Sequence, residues 1–220
     1  MKVLAAFVVL IAPSLPARSE PIDVDVALVF VVDISESMTS AERTFARQAH
    51  AEALVSVEVL SAVAEGEARR IAAAYVEFAS TAQANVGWTL IATVDDAARF
   101  GTRILASPDP TTSNTGIGAG VIEADRLFSK LPYRAGRLVI DVVGDGTNNA
   151  GFPLDVARAA VLSRGATING MPLVNATAEA RLATFYRQQV IGGPWAFSLP
   201  IRNVSDLPMA LRSKIVLELY

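Results

Sequence analysis

Residues 26–43 read "VALVFVVDISESMTSAER", and this stretch decides the fold. The run from Val26 to Val32 is apolar without a break. A strand that is apolar at every position has both faces covered, as an inner strand of a parallel sheet does. Directly after it the oxygen-bearing side chains Asp33, Ser35, Glu36, Ser37, Thr39 and Ser40 crowd together. Strand alternation carries Asp33 and Ser35 to one side, and the turn that follows can bring Ser37 round to join them. One carboxylate and two hydroxyls therefore converge where the strand leaves the sheet.

Outward from this stretch, strands alternate with longer amphipathic segments. Ser40–Val63 is predicted as one long helix, with Phe45, Ala49, Ala53 and Leu60 among its apolar positions. Arg70–Ala79 is strand-like, and Asn85–Ile91 suits a short edge strand. Val94–Leu105 and Gly116–Leu131 read as helices, Arg137–Val143 as a strand, Leu154–Arg164 as a helix and Thr167–Leu173 as a strand. Ala178–Gln189 is a further helix, Trp195–Leu199 a last strand and Asp206–Leu217 a closing helix. Strands alternating with helices of about ten residues or more imply βαβ units. The expectation is an α/β fold, a central, mostly parallel sheet with helices on both faces. Ligands of such sheets sit outside the carboxyl ends of the strands. The loops after Val32, Ser80, Val143 and Leu173 are therefore where function is expected.

The chain has 220 residues, 52% of them hydrophobic, enough for one domain with a full core. Its start, "MKVLAAFVVLIAPSLPARSE", has Lys2, an apolar run from Val3 to Ala12, Pro13 and Pro16. Ala17 and Ser19 put small residues at the positions a signal peptidase reads. This is the pattern of a secretory signal peptide over residues 1–19, cleaved between Ser19 and Glu20, with 20–220 as the domain. The run is about half of the roughly 20 residues that a membrane span needs. No later segment is long and apolar enough to span, so a secreted or periplasmic product is expected. Residues 1–19 carry Lys2 and Arg18 and no acid, so their removal takes two positive charges from a net of −3 and leaves −5. An acidic domain without a basic stripe is not built for nucleic acid. The absence of cysteine excludes thiolate chemistry and Cys-based zinc sites. An exported domain of this size does not need disulfides.

Two further segments supply oxygens at strand ends. Asp145 follows the strand "RLVIDVV" in "GDGTNN", between Gly144 and Gly146, which suit a tight turn and close backbone approach. Thr115, in "TTSNTGIGAGV", stands just before a helical pattern. Asp33, Ser35, Ser37, Thr115 and Asp145 offer only oxygens, two of them from carboxylates, which is the donor set of a hard divalent cation. Mg²⁺ retaining some of its waters is the expected ion, with Mn²⁺ or Ca²⁺ as alternatives. A plainer reading makes Ser37, Thr39 or Ser40 a helix cap and nothing more. Thr115 and Asp145, in order at separate strand ends, favour the ion.

Ser35 as a hydrolase nucleophile would need a base. His50, the one histidine, falls about 15 Å down the helix at about 1.5 Å per residue. There it reads as a surface or helix-packing residue. No G-x-S-x-G elbow exists, and "GIGAG" lacks the preceding strand and the lysine of a phosphate loop. Asp141 and Glu77 lie inside strands, where a buried carboxylate needs a partner. An arginine or loop backbone is expected for Asp141 if it is buried. Trp88 and Trp195 are expected in core or rim packing.

These residues resemble the von Willebrand factor A domain and its metal ion-dependent adhesion site (MIDAS). Asp33-Ile34-Ser35-Glu36-Ser37 is similar to the family's D-x-S-x-S. Thr115 in "TGIGAGV" matches its threonine before a later helix, and Asp145 in "GDG" its aspartate turn. The resemblance runs from Val24 to Leu217. It is strongest to an exported bacterial branch of unknown function with segments like Tyr75-Val76-Glu77, Gly144–Asn149, Thr167–Gly170 and Ile191–Pro194. It implies a three-layer, Rossmann-like fold. It further implies that Ser35, Ser37 and Thr115 coordinate the metal directly or through near neighbours, while Asp33 and Asp145 act through water and hold the serines. The open coordination position would take an Asp or Glu carboxylate from a protein partner. Glu36 stands where the family usually has glycine, and Gly144 where it usually has threonine or serine. Metal-dependent protein binding is the function the resemblance implies. Two alternatives stay open: a metal-assisted hydrolase or phosphatase with Glu36 as its base, and a structural domain that holds no metal.

Overall fold

The computed structural model describes residues 20–108, 113–174 and 179–220; the expected signal segment 1–19 lies outside them. The elements are β1 (Asp23–Asp33), α1 (Ser40–Leu54), α2 (Val57–Glu65), β2 (Ile71–Phe78), β3 (Ala82–Ile91), α3 (Val94–Leu105), α4 (Ile117–Phe128), β4 (Arg134–Gly144), α5 (Leu154–Ser163), β5 (Thr167–Pro172), α6 (Glu179–Phe185) and α7 (Leu207–Leu219). A π-helical turn, Tyr186–Val190, extends α6, and a 3₁₀ turn, Val204–Asp206, leads into α7.

The strands form one sheet in the order β3-β2-β1-β4-β5. β1 pairs in parallel with β2 and β4, and β4 with β5, while β3 is an antiparallel edge. Alternate residues of β1 serve two cores. Val26, Leu28, Phe30 and Val32 pack with α1, α2, α3 and α7. Ala27, Val29 and Val31 pack with α4, α5, α6 and the π turn. Burial on both sides is why the run is apolar throughout, and each fully buried Leu or Phe side chain contributes about 1.5–3 kcal/mol. The chain leaves β1 for β2 through helices on one face and enters β4 from α4 on the other. Strand order thus reverses between β1 and β4, and a crevice opens at their carboxyl ends.

Several stretches differ from the expectation. The long helix over Ser40–Val63 is two helices. Ser56 has an extended backbone, and its hydroxyl accepts the Val59 N–H, which starts a second helix. The strand expected at Trp195–Leu199 does not form. Ser198 and Ile201 make only isolated bridges, to Gly170 and Leu173. Gly193 and Trp195 adopt positive φ of 92° and 60°, which strand geometry does not accommodate. Trp195, expected in packing, is 91% exposed at this turn. Trp88 does pack, stacked on Phe128 with its indole N–H donating to the Leu127 carbonyl at 2.9 Å. The edge strand begins earlier than expected, at Ala82. The start expected for the next-to-last helix, Ala178, lies outside the described residues.

Two buried acids inside strands have partners from distant elements. Arg47 of α1 grips Glu77 of β2 through two hydrogen bonds, 2.7 and 2.8 Å. Asp141, fully buried in the middle of β4, faces Lys214 of α7 at 2.5 Å, rather than the arginine or loop backbone expected. Lys214 also pairs with Glu218 one turn along α7, and Asn169 donates to Glu218 at 2.9 Å. His50 is buried, not superficial, with its ring edge-on to Phe30 and Tyr75 and its Nδ1 2.7 Å from the Ala46 carbonyl. Burial lowers its pKa, so it is a neutral packing residue.

Candidate metal centre

β1 ends at Asp33, whose carboxylate is fully buried. Its Oδ1 accepts the Ser35 N–H at 2.8 Å, which curls the chain as it leaves the sheet. The Ser35 and Ser37 hydroxyls lie 3.0 Å apart, and the Ser37 hydroxyl donates to Asp145 Oδ1 at 2.6 Å. Hydrogen bonds therefore run unbroken from the end of β1 to the turn after β4. Thr39 closes the segment by capping α1. It accepts the Glu42 N–H at 3.2 Å, while the Glu42 carboxylate accepts the Thr39 N–H at 2.8 Å. This reciprocal box leaves Ser35 and Ser37 without capping duty.

Thr115 arrives from a third side and is nearly buried. Its carbonyl accepts the N–H groups of Asn149 at 2.9 Å and Ala150 at 3.1 Å. Its own N–H donates to Asn149 Oδ1 at 2.9 Å. Asn148 Oδ1 accepts the Gly118 N–H at 2.8 Å, capping α4 from outside because the helix's own cap residue, Gly116, has no side chain to do so. Gly146 lies against the threonine, since a Cβ there would fall 2.8 Å from Thr115 Oγ1. The structure thus brings all five sequence-predicted oxygen-bearing residues to one edge. It adds Asn148 and Asn149, which sequence reasoning missed as site-building residues. Their signal was an asparagine pair after "GDG" beside a helix start with no capping side chain.

Burial pushes the Asp33 carboxyl up to about 7, against the downward pull of its Ser35 hydrogen bonds. Burial also raises Asp145, against the Ser37 hydrogen bond. Asp33 Oδ2 is buried with no hydrogen-bond partner. Such an oxygen is costly, and a cation relieves both the desolvation and the mutual repulsion of two nearby acids. The set has only two acids, and no group of three or more acids or histidines that could hold a metal is found among the described residues. Two carboxylates and three hydroxyls fit a hard cation that keeps some water. Glu36 is exposed at the rim, its backbone N–H donating to the Ser113 carbonyl at 3.0 Å. A cleft of about 360 Å³ starts at Ser37 and Asp145 and runs over Met38, Leu173 and Ile201 to Arg202.

This sheet order, with helices on both faces, is a von Willebrand factor A-like fold. The chain belongs to the family described as a protein of unknown function, DUF1194, whose model matches residues 23–220. Its fold is similar to the von Willebrand factor type A protein from Catenulispora acidiphila, with TM-score 0.62, 16% identity, and 88% of this chain and 42% of that one covered. It is similar also to proximal thread matrix protein 1 from the mussel byssus, whose structure has a zinc-occupied MIDAS motif (TM-score 0.62, 19% identity, 91% and 49% covered). A third is the vWF domain of the type V pili tip protein Mfa5 from Porphyromonas gingivalis (TM-score 0.61, 14% identity, 89% and 95% covered). The chain spans less than half the length of the first two. No curated protein matches the sequence.

Proposed function

We propose that residues 20–220 form a domain exported behind the signal segment 1–19, which binds protein partners in a divalent-cation-dependent manner. Its ion site is Asp33, Ser35, Ser37, Thr115 and Asp145. The observation that carries this reading is the hydrogen-bonded chain Asp33–Ser35–Ser37–Asp145 next to a buried, unpartnered Asp33 Oδ2. Ser35, Ser37 and Thr115 present hydroxyl oxygens, and Asp33 and Asp145 supply charge and orient the serines. Mg²⁺ is the proposed ion, with Mn²⁺ or Ca²⁺ as substitutes; the zinc reported for the mussel protein supports a divalent cation. The bound ion supplies one coordination position for an Asp or Glu carboxylate of the partner. Residues flanking that carboxylate would lie along the cleft toward Arg202, and Glu36 at the rim would disfavour a second partner acid beside the first. The kinship in fold to a pilus tip protein supports a binding role. Among the described residues no helix is long and apolar enough to cross a membrane, which agrees with a domain that works away from the bilayer core.

Calorimetric titration with Mg²⁺ tests the site, and capture of partners from periplasmic extract in Mg²⁺ against EDTA tests the function. Asp33→Ala and Ser35→Ala should each abolish measurable ion binding, and EDTA should release the captured partner. Unchanged ion affinity in both variants would sink the reading.

A further inference from the structure

Tyr186 is fully buried in the π turn that extends α6. The turn is closed by the Ile191 N–H donating to the Tyr186 carbonyl at 3.0 Å, the wide bond pattern that recurs at functional positions in helices. Two glycines make room for its side chain. A Cβ on Gly170 of β5 would fall 2.6 Å from Tyr186 Cδ1, so the ring lies against bare backbone. A Cβ on Gly144, at the end of β4, would fall 3.0 Å from the Tyr186 hydroxyl and 2.8 Å from Asp33 Oδ2. The hydroxyl and that carboxylate oxygen therefore crowd the same point, and the sum of the two distances, 5.8 Å, is the upper limit of their separation.

Each group is poorly served without the other. The tyrosine O–H donates to the Gly144 carbonyl at 3.4 Å, long against the usual value of about 2.7–2.8 Å. Asp33 Oδ2 has no partner at all. A phenylalanine would fill the slot equally well, so packing does not account for the hydroxyl. Hydrogen bonds to an ionised acceptor are roughly twice as strong as neutral ones. A separation of at most 5.8 Å is one that a single bridging water spans, and a water so placed would relay the hydroxyl's hydrogen bond to the carboxylate.

We propose that Tyr186 is a positioning residue of the ion site, its hydroxyl donating to Asp33 Oδ2 through one bridging water. Held at Oδ2 by Tyr186 and at Oδ1 by the Ser35 N–H, the carboxylate is fixed in the orientation that keeps Ser35 and Ser37 in line. Gly144 is the opening through which the hydroxyl reaches it. This inference rests on the ion-site reading.

Tyr186→Phe keeps the ring and removes the donor. Three measurements decide: Mg²⁺ affinity by calorimetry, melting temperature in EDTA, and the carboxyl ¹³C shift of Asp33 in EDTA. The expected result is about tenfold weaker Mg²⁺ binding, as for one lost charge-assisted hydrogen bond. The Asp33 carboxyl resonance moves, and the melting temperature stays within about 4 °C of the parent. A Tyr186→Leu control, which also loses packing, should melt well below both. The inference is overturned if the parent binds Mg²⁺ and the Phe variant binds it as tightly. It is overturned also if affinity falls only together with melting to the level of the Leu control. A parent that binds no divalent ion overturns the ion-site reading and this inference together, and is thereby distinguished from the first two outcomes.

Discussion

Replacing Lys214 with methionine would remove the one cation of a fully buried cluster between β4 and α7. Lys214 Nζ is 2.5 Å from Asp141 Oδ1 and pairs with Glu218 one turn along the helix. Burial opposes the Lys214 charge, but Asp141 and Glu218 outweigh it and raise its pKa above 10.5. Burial and Asp141 in turn push Glu218 up to about 7, against the pull of Lys214. Methionine preserves the side-chain stem and leaves two acids alone in the core. Breaking a buried pair costs about 3–5 kcal/mol. At about 2–4 °C per kcal/mol for a domain of this size, the melting temperature near pH 7.5 should fall by roughly 6–20 °C. The loss should shrink in acid. Glu218 has a folded pKa above its unfolded value of 4.5, so its stabilising contribution is complete below that value and lost as pH rises through about 7. Lys214, also raised, keeps its contribution up to about 10.5 and loses it only above. Between these limits acid adds a proton to Glu218 without removing one from Lys214. In the variant, that proton removes part of the uncompensated charge, so melts near pH 5.5 should lie closer to the parent than those near pH 7.5. A triple variant, Lys214→Met with Asp141→Asn and Glu218→Gln, should regain most of the loss, because no buried charge remains. Circular dichroism melts read all of this. A Lys214→Met variant within about 1 kcal/mol of the parent near pH 7.5, or a larger loss near pH 5.5, would refute the reasoning.

Mg²⁺ should raise the melting temperature more near pH 8 than near pH 5.5. The folded pKa of Asp33, about 7, exceeds its unfolded 3.8, so its ion-free contribution is complete below 3.8 and lost as pH rises through about 7. The cation binds the carboxylate form and restores what was lost; a greater gain in acid would contradict this. Thr39→Ala should cost about 1 kcal/mol in urea unfolding through loss of the capping box, with Mg²⁺ affinity unchanged. A concurrent loss of ion binding would show that cap and site are one unit. Gly146→Ala places a methyl 2.8 Å from Thr115 Oγ1. It should weaken Mg²⁺ binding several-fold by calorimetry, and unaltered affinity would remove Thr115 from the site.

The α/β class was legible because the constraint is local. A strand covered on both faces must be apolar at every position, and Val26–Val32 is. Val94–Leu105 has the bounds its apolar pattern predicts, and the structure adds a capping box of Thr93 and Asp96 at its start. The break at Ser56 was not legible, because one serine in a helical pattern is unremarkable until its hydroxyl is seen to accept the Val59 N–H. The five site oxygens were legible as residues at strand ends. Their gathering at one sheet edge was expected from the order of the strand ends, but the bond from Ser37 to Asp145 was not, because it joins the loops after β1 and β4 and depends on those strands being neighbours. Asp141 demanded a partner from sequence alone, but its partner Lys214 lies 73 residues away in the closing helix, a pairing that only the packing of α7 on β4 makes. The slot of Tyr186 is made by glycines on two different strands, which no local pattern reveals. Periodicity is a property of the local backbone, so the sequence by itself determined which residues face inward and where polar ones leave the sheet. Which polar group meets which is chosen by strand order and by the helices laid across it, and only the tertiary structure decided that.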